Sequence, residues 1–148
     1  MSDLDELYQQ IIVEHNRSPR NFKKLEGATR TAEGDNPLCG DRIAVSVKLA
    51  GDVIQDIGFE GKGCAISKSS ASLMTGAVKG KTVAEAERLF AAFRDMVSGD
   101  GTADASALGK LAAFAGVRQF PSRIKCANLA WHTLHAALTA AAEPVTTE

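Results

Sequence analysis

Arg42-Ile43-Ala44-Val45-Ser46-Val47-Lys48-Leu49-Ala50 runs into Gly51-Asp52 and then into Val53-Ile54-Gln55-Asp56-Ile57-Gly58-Phe59. The first run alternates. Ile43, Val45, Val47 and Leu49 face one way, and Arg42, Ala44, Ser46 and Lys48 face the other. A period of two is the signature of a strand with one buried face. Gly51-Asp52 is turn chemistry, Ile57 and Phe59 share a face of the returning run, and the pair predicts an antiparallel hairpin. A further strand is expected within Ala28 to Glu33. Helical patterns lie before and after these strands. The order predicts an α+β fold, a small antiparallel β-sheet packed against several helices, in a single domain over 1–148.

Outward from the hairpin, the N-terminal segment Leu4 to His15 places Leu4, Leu7, Tyr8, Ile11 and Ile12 at helical spacing, with Asp3 and Glu6 as a capping pair. Asn16 to Pro19 ends that helix, and Phe22 and Leu25 are expected to pin the next loop to the body. Downstream, Gly61-Lys62-Gly63 closes the second strand. A helix rich in small residues then runs from near Cys64 to about Val78, with Gly80 ending it. Thr82 and Glu85 form a capping box for a helix through about Val97. A flexible loop is read at 98–101, a short helix weakened by Gly109 at 105–115, and a connection at 116–121. Ser122 is expected to cap a last helix from Arg123 to about Ala141. Its apolar side carries Leu129, Ala130, Leu134, Ala137 and Leu138, with Trp131 in the core. The tail 142–148 is read as flexible.

Composition removes several function classes. Of 148 residues, 45% are apolar and 24% charged, and the formal net charge is -1. That balance gives no basic footprint for general nucleic-acid or anionic-membrane binding. No apolar run approaches the ~20 residues that cross a bilayer. The first residues are acidic rather than basic-then-apolar, so no signal peptide is expected and a cytoplasmic location is the expectation. Walker A, G-x-S-x-G and H-E-x-x-H patterns are absent. The cluster Arg17, Arg20, Lys23 and Lys24 reads as a solvated face able to steer an acidic partner.

Immediately before the hairpin stands Asn36-Pro37-Leu38-Cys39-Gly40-Asp41. Pro37 fixes its own φ and Gly40 can take φ > 0, so a tight turn can aim Cys39 and Asp41 at one spot. The other two of the three cysteines are Cys64, opening a helix, and Cys126, near the start of the last one. Thiols near helix N-termini are expected to have lowered pKa values. Three cysteines without a close pair do not read as a disulfide framework, which leaves ligand, nucleophile or buried filler open for each. If all three converge, Asp41 completes a four-donor set suited to tetrahedral zinc. His132 and His135 stand at ligand spacing, but about two helical turns beyond Cys126. His15 reads as a helix C-terminal residue that complements the dipole.

Three ordered segments carry a family resemblance: Asn36-Pro37-Leu38-Cys39-Gly40-Asp41, Gly61-Lys62-Gly63-Cys64-Ala65-Ile66-Ser67, and Arg123-Ile124-Lys125-Cys126-Ala127-Asn128-Leu129. Together with Leu7 to Phe22 they resemble the IscU/NifU-N/SufU superfamily of iron–sulfur cluster assembly proteins. Lys125 stands where IscU-type scaffolds have histidine, and the stretch within 88–120 is longer than in IscU proteins. Both features resemble the SufU branch. The resemblance implies zinc held by Cys39, Asp41, Cys64 and Cys126. It also implies a sulfurtransferase, a sulfur acceptor or relay, working with a PLP-dependent cysteine desulfurase of the SufS type and, downstream, Suf scaffold proteins. Cys39 is read as the acceptor of persulfide sulfur. The alternatives are a scaffold for iron or a [2Fe-2S] cluster on the same ligands, and a structural zinc-binding interaction domain. The roles of Lys125 and of the 98–102 loop are left open.

Overall fold

The alternating segments form β1 (Arg30–Asn36), β2 (Asp41–Ala50) and β3 (Val53–Lys62), paired antiparallel. This is a computed structural model, and it describes residues 3–37, 39–98, 106–139 and 145–146. A two-residue strand β4 (Val145–Thr146) adds parallel to β1, giving the order β3-β2-β1-β4. Ile43, Val45 and Val47 are 0–1% exposed, as are Ile57 and Phe59, so the apolar face read from the period of two is the buried one. A bulge at Lys48–Leu49 shifts the register before the turn, and Leu49 is half-buried.

β1 is the strand whose position differs most from expectation. It starts at Arg30 and continues past Glu33 to Asn36. Its sequence, Arg-Thr-Ala-Glu-Gly-Asp-Asn, has no apolar alternation to mark its end, so the ladder to β2 sets its length. The last rung pairs Asn36 with Asp41, which turns the segment between them into a closed hairpin loop.

Helices cover the sheet. They are α1 (Asp3–Arg17), α2 (Ala65–Val78), α3 (Val83–Ser98), a 3-10 segment (Ser106–Gln119) and α4 (Pro121–Leu138). α4 lies against β1 and β2, α2 against α4, β3 and α1, and α3 against α4 and the 3-10 segment. Trp131 is fully buried and stacks on Phe93 at 5.1 Å, and Phe93 meets Phe114 edge-on at 5.7 Å. The capping box forms as read. The Thr82 hydroxyl accepts the Glu85 N–H at 3.1 Å and the Glu85 carboxylate accepts the Thr82 N–H at 3.2 Å. Phe22 packs edge-on against Phe59 at 5.1 Å and Leu25 N–H bonds Ser46 Oγ at 3.1 Å, which pins the loop after α1.

Five local expectations need correction. The 3-10 segment continues to Gln119, through the stretch read as a connection, with its break at Gly109 (φ 56°, ψ -127°). α4 begins at Pro121 rather than Arg123, and Phe120 makes no side-chain cap. Ser122 is already inside the helix, because proline suits the first helical position. Leu7 is 50% exposed, since α1 rests on α2 and the 3-10 segment with Ile11 and Ile12 turned to the core. His15 is buried, not a surface partner of the helix dipole. Its Nδ1 lies 2.7 Å from Ser72 Oγ on α2, and burial, followed by the charge of Arg20, lowers its pKa. Ser98, read as the start of a loop, is the last residue of α3. The Asp3–Glu6 capping pair, positions 99–102 and most of the tail 142–148 lie outside the described residues or side chains. Among the described residues no helix is long and apolar enough to cross a membrane.

Candidate metal centre

Three elements meet at the turn end of the β1–β2 hairpin. Cys39 sits in the loop, where its N–H bonds Asn36 O at 3.2 Å. Gly40 follows at φ 70°, the left-handed region that turns the chain into β2. Asp41, the first residue of β2, is 1% exposed. Cys64 is the N-cap of α2, and its sulfur accepts the Ser67 N–H at 3.5 Å. The Cys64 N–H in turn donates to Asp41 Oδ1 at 2.8 Å. This contact needs Gly63 beside it, because a Cβ there would stand 2.8 Å from the same carboxylate oxygen. Cys126 comes from the second turn of α4, is fully buried, and places its Sγ 3.3 Å from Cys39 Sγ.

The donor atoms of Cys39, Asp41 and Cys126 all lie within 4.8 Å of one another. Cys64 is not part of that mutual group, but its Sγ is 4.0 Å from Asp41 Oδ2. Around one zinc ion, tetrahedral bonds of about 2.0–2.3 Å set donors roughly 3.3–3.8 Å apart. The 3.3 Å between Cys39 and Cys126 sulfurs falls in that range, and the 4.0 Å between Cys64 Sγ and Asp41 Oδ2 lies just outside it.

Electrostatics point the same way. Burial first, then the neighbouring Cys39 and Asp41, push the Cys126 thiol well above the ordinary cysteine range. The expectation of a lowered pKa fails here because Cys126 lies past the first turn and is surrounded by other acidic groups. Among the described residues no ion pair neutralises Asp41. Cys126 and Asp41 are buried beside the half-buried Cys39 and Cys64, a group poorly suited to holding negative charge alone. A divalent cation reverses that balance, because it deprotonates the thiols that bind it.

Two contributors had no role in the sequence reading. Asn36 is fully buried, with its Nδ2 3.4 Å from Cys126 Sγ and 3.5 Å from Asp41 Oδ2. Arg123, exposed in the first turn of α4, leans toward the sulfurs. Its contact with Cys126, then the charges of Cys64, Cys126 and Cys39, raise its pKa further. The placement of Arg123 three residues before Cys126, on one helix face, is the signal that could have found it. Asn36 becomes visible only once the register of β1 is known. His132 and His135 do not reach the centre. The His132 ring stands edge-on to Phe90 at 5.0 Å, and His135 Nδ1 lies 2.8 Å from Glu87 Oε1.

Comparison with known proteins gives one consistent picture. Residues 7–127 match the family described as the NifU-like N-terminal domain. The chain is 45% identical over 133 residues to the zinc-dependent sulfurtransferase SufU of Bacillus subtilis (strain 168), covering 90% of each chain. It is 41% identical over 138 residues to the iron-sulfur cluster assembly scaffold protein IscU of Streptococcus pyogenes serotype M1, covering 93% of this chain and 86% of that one. Among solved structures, a SufU from Fervidobacterium islandicum AW-1, a candidate scaffold for the SUF system, superposes with a TM-score of 0.83 at 34% identity. That match covers 90% of this chain and 97% of that one.

Proposed function

The chain belongs to the NifU-like N-terminal domain family of iron–sulfur cluster assembly proteins, and on that premise we propose that it is a zinc-dependent sulfur acceptor. Cys39, Asp41, Cys64 and Cys126 are the metal ligands, and Cys39 takes sulfur from a SufS-type cysteine desulfurase. The observation that supports this reading is the convergence of Cys39, Asp41 and Cys126 at one end of the sheet, with Cys64 Sγ 4.0 Å from Asp41 at its edge. Zinc, when bound, supplies a redox-inert Lewis acid that keeps thiols deprotonated without oxidising them.

The chain's own residues divide the work. Cys126 lies inside α4, Cys64 caps α2 and Asp41 opens β2, so regular elements fix their backbones, although Cys64 is as partly exposed as Cys39. Cys39 sits in a short loop and is partly exposed. Its thiolate attacks the outer sulfur of the desulfurase persulfide, a new S–S bond forms, the old one breaks, and the desulfurase thiolate leaves. Cys39 then carries the persulfide. The exposed Arg123 guanidinium beside the sulfurs offers positive charge to the attacking and leaving thiolates.

The test is Cys39→Ser incubated with a desulfurase, its PLP and cysteine. Mass spectrometry is expected to find no protein persulfide, while elemental analysis finds part of the zinc retained. Normal sulfur uptake by Cys39→Ser would overturn the assignment. A second reading, a [2Fe-2S] scaffold on the same four side chains, is favoured by relatives named as scaffolds. It predicts a stable visible spectrum after anaerobic reconstitution, and desulfurase turnover that does not rise when the protein is added.

A further inference from the structure

The four proposed ligands are not held alike, and two of them share one side-chain donor. Asp41 accepts the Cys64 N–H at 2.8 Å, and the Cys64 sulfur accepts the Ser67 N–H at 3.5 Å. Cys126 and the second oxygen of Asp41 share the amide of Asn36, at 3.4 Å and 3.5 Å. For Cys39, by contrast, no N–H donor to sulfur is found among the described residues; its sulfur contact is Cys126 Sγ at 3.3 Å. An N–H aimed at a thiolate stabilises its charge and fixes its direction, as second-shell donors do at metal sites.

Asn36 is an unusual choice for its place. It is fully buried, yet its Oδ1 has no hydrogen-bond partner. Turning the amide over would set that oxygen against the Asp41 carboxylate. A buried amide with one orphaned end weakens the fold unless the other end does something of value. The backbone of Asn36 already closes the hairpin, by pairing with Asp41 and accepting the Cys39 N–H, and an apolar residue could do both. The fold alone therefore gives no reason for an amide side chain.

We propose that Asn36 is a positioning residue that holds Asp41 and Cys126 in the donor set, so that Cys39 is the ligand released. This rests on the sulfur-acceptor reading for its purpose, but its test does not depend on sulfur transfer. Asn36→Leu keeps the branched outline of the side chain, though it is bulkier, and removes both the donor and the orphaned oxygen. In metal-free protein its Tm is expected to match or exceed that of the wild type. In zinc-loaded protein, zinc release to a chromogenic chelator is expected to quicken by about tenfold or more, the scale of lost second-shell contacts. Limited alkylation of the zinc-loaded protein, mapped by mass spectrometry, is expected to label Cys39 first in the wild type. In the variant the ratio of Cys39 to Cys126 labelling falls.

Unchanged release and labelling order, with a lowered metal-free Tm, would show that Asn36 only closes the hairpin, and would overturn the proposal. If Asn36→Leu does not fold, Asn36→Ala carries the same release measurement against the same two outcomes. A wild-type protein that holds zinc but accepts no sulfur would sink the acceptor reading and leave the comparison of release rates intact.

Discussion

The two halves of α4 hold the same kinds of residue and do different things. In its second turn Cys126 faces a strand carboxylate, a loop thiol and a helix-capping thiol. Further along, His132 and His135 have ligand chemistry at ligand spacing, yet one packs on Phe90 and the other pairs with Glu87. The difference is in what lies opposite. The first half faces the turn end of the β1–β2 hairpin, where chain turns bring side chains in from separate elements. The second half faces α3, whose regular surface offers an aromatic ring and a single carboxylate. Spacing along one helix makes ligands available, and convergence of several elements makes a site.

The largest effect that tests this contrast is on metal affinity. Cys126→Ala is expected to weaken zinc binding at least ~100-fold, beyond the range of second-shell losses, while His132→Ala leaves stoichiometry unchanged. Competition against a chelator measures both, and loss of zinc from His132→Ala would break the comparison. Next comes stability. If zinc is present at roughly 1,000 times its Kd, its removal withdraws about 4 kcal/mol, or about 10 °C of Tm for a chain of this size. Differential scanning calorimetry with and without chelator should show that drop in the wild type and a much smaller one in Cys126→Ala.

A smaller effect is pH dependence at the other half of the helix. Burial first, then the charges of Arg94 and His135, lower the pKa of His132 below 6.5. The folded state therefore favours the neutral ring. Its contribution is complete above 6.5, the unfolded value, and is lost as pH falls from there through the folded value. In metal-free protein the Tm of the wild type should fall more steeply on acidification than that of His132→Phe. Equal slopes would remove His132 from the account. Smallest of all is the exposed His135–Glu87 pair. Glu87→Ala is expected to cost about 0.2–1 kcal/mol, less at high salt, by urea denaturation.

What the sequence disclosed follows the range of the interactions involved. The β2–β3 hairpin, the capping box at Thr82 and Glu85, and the start of α2 at Cys64 are set by neighbours a few residues apart, and they were legible. Of the residues singled out as ligands, Cys39, Asp41 and Cys126 come together, while Cys64 stands at the edge of that group beside Asp41. Asn36 could not be read as a contributor, since its amide reaches a sulfur 90 positions away. His15 was misplaced for the same reason, because its partner Ser72 belongs to another helix. The end of β1 depends on a ladder rather than on its own polar sequence. The 3-10 segment defeated the reading because its small residues fit several backbone states equally well.

The approach of Cys126 to Cys39 joins residues 87 apart in the chain, and this orders events while the protein is being made. Translation at about 5–20 residues per second leaves several seconds between the synthesis of Cys64 and that of Cys126. During that interval a nascent chain has Cys39, Asp41 and Cys64 but lacks the sulfur that α4 brings. Any ion caught early faces an open coordination position and can leave. Emergence of α4 closes the proposed set, so on that reading firm metal binding waits until Cys126 has been made and folded into place.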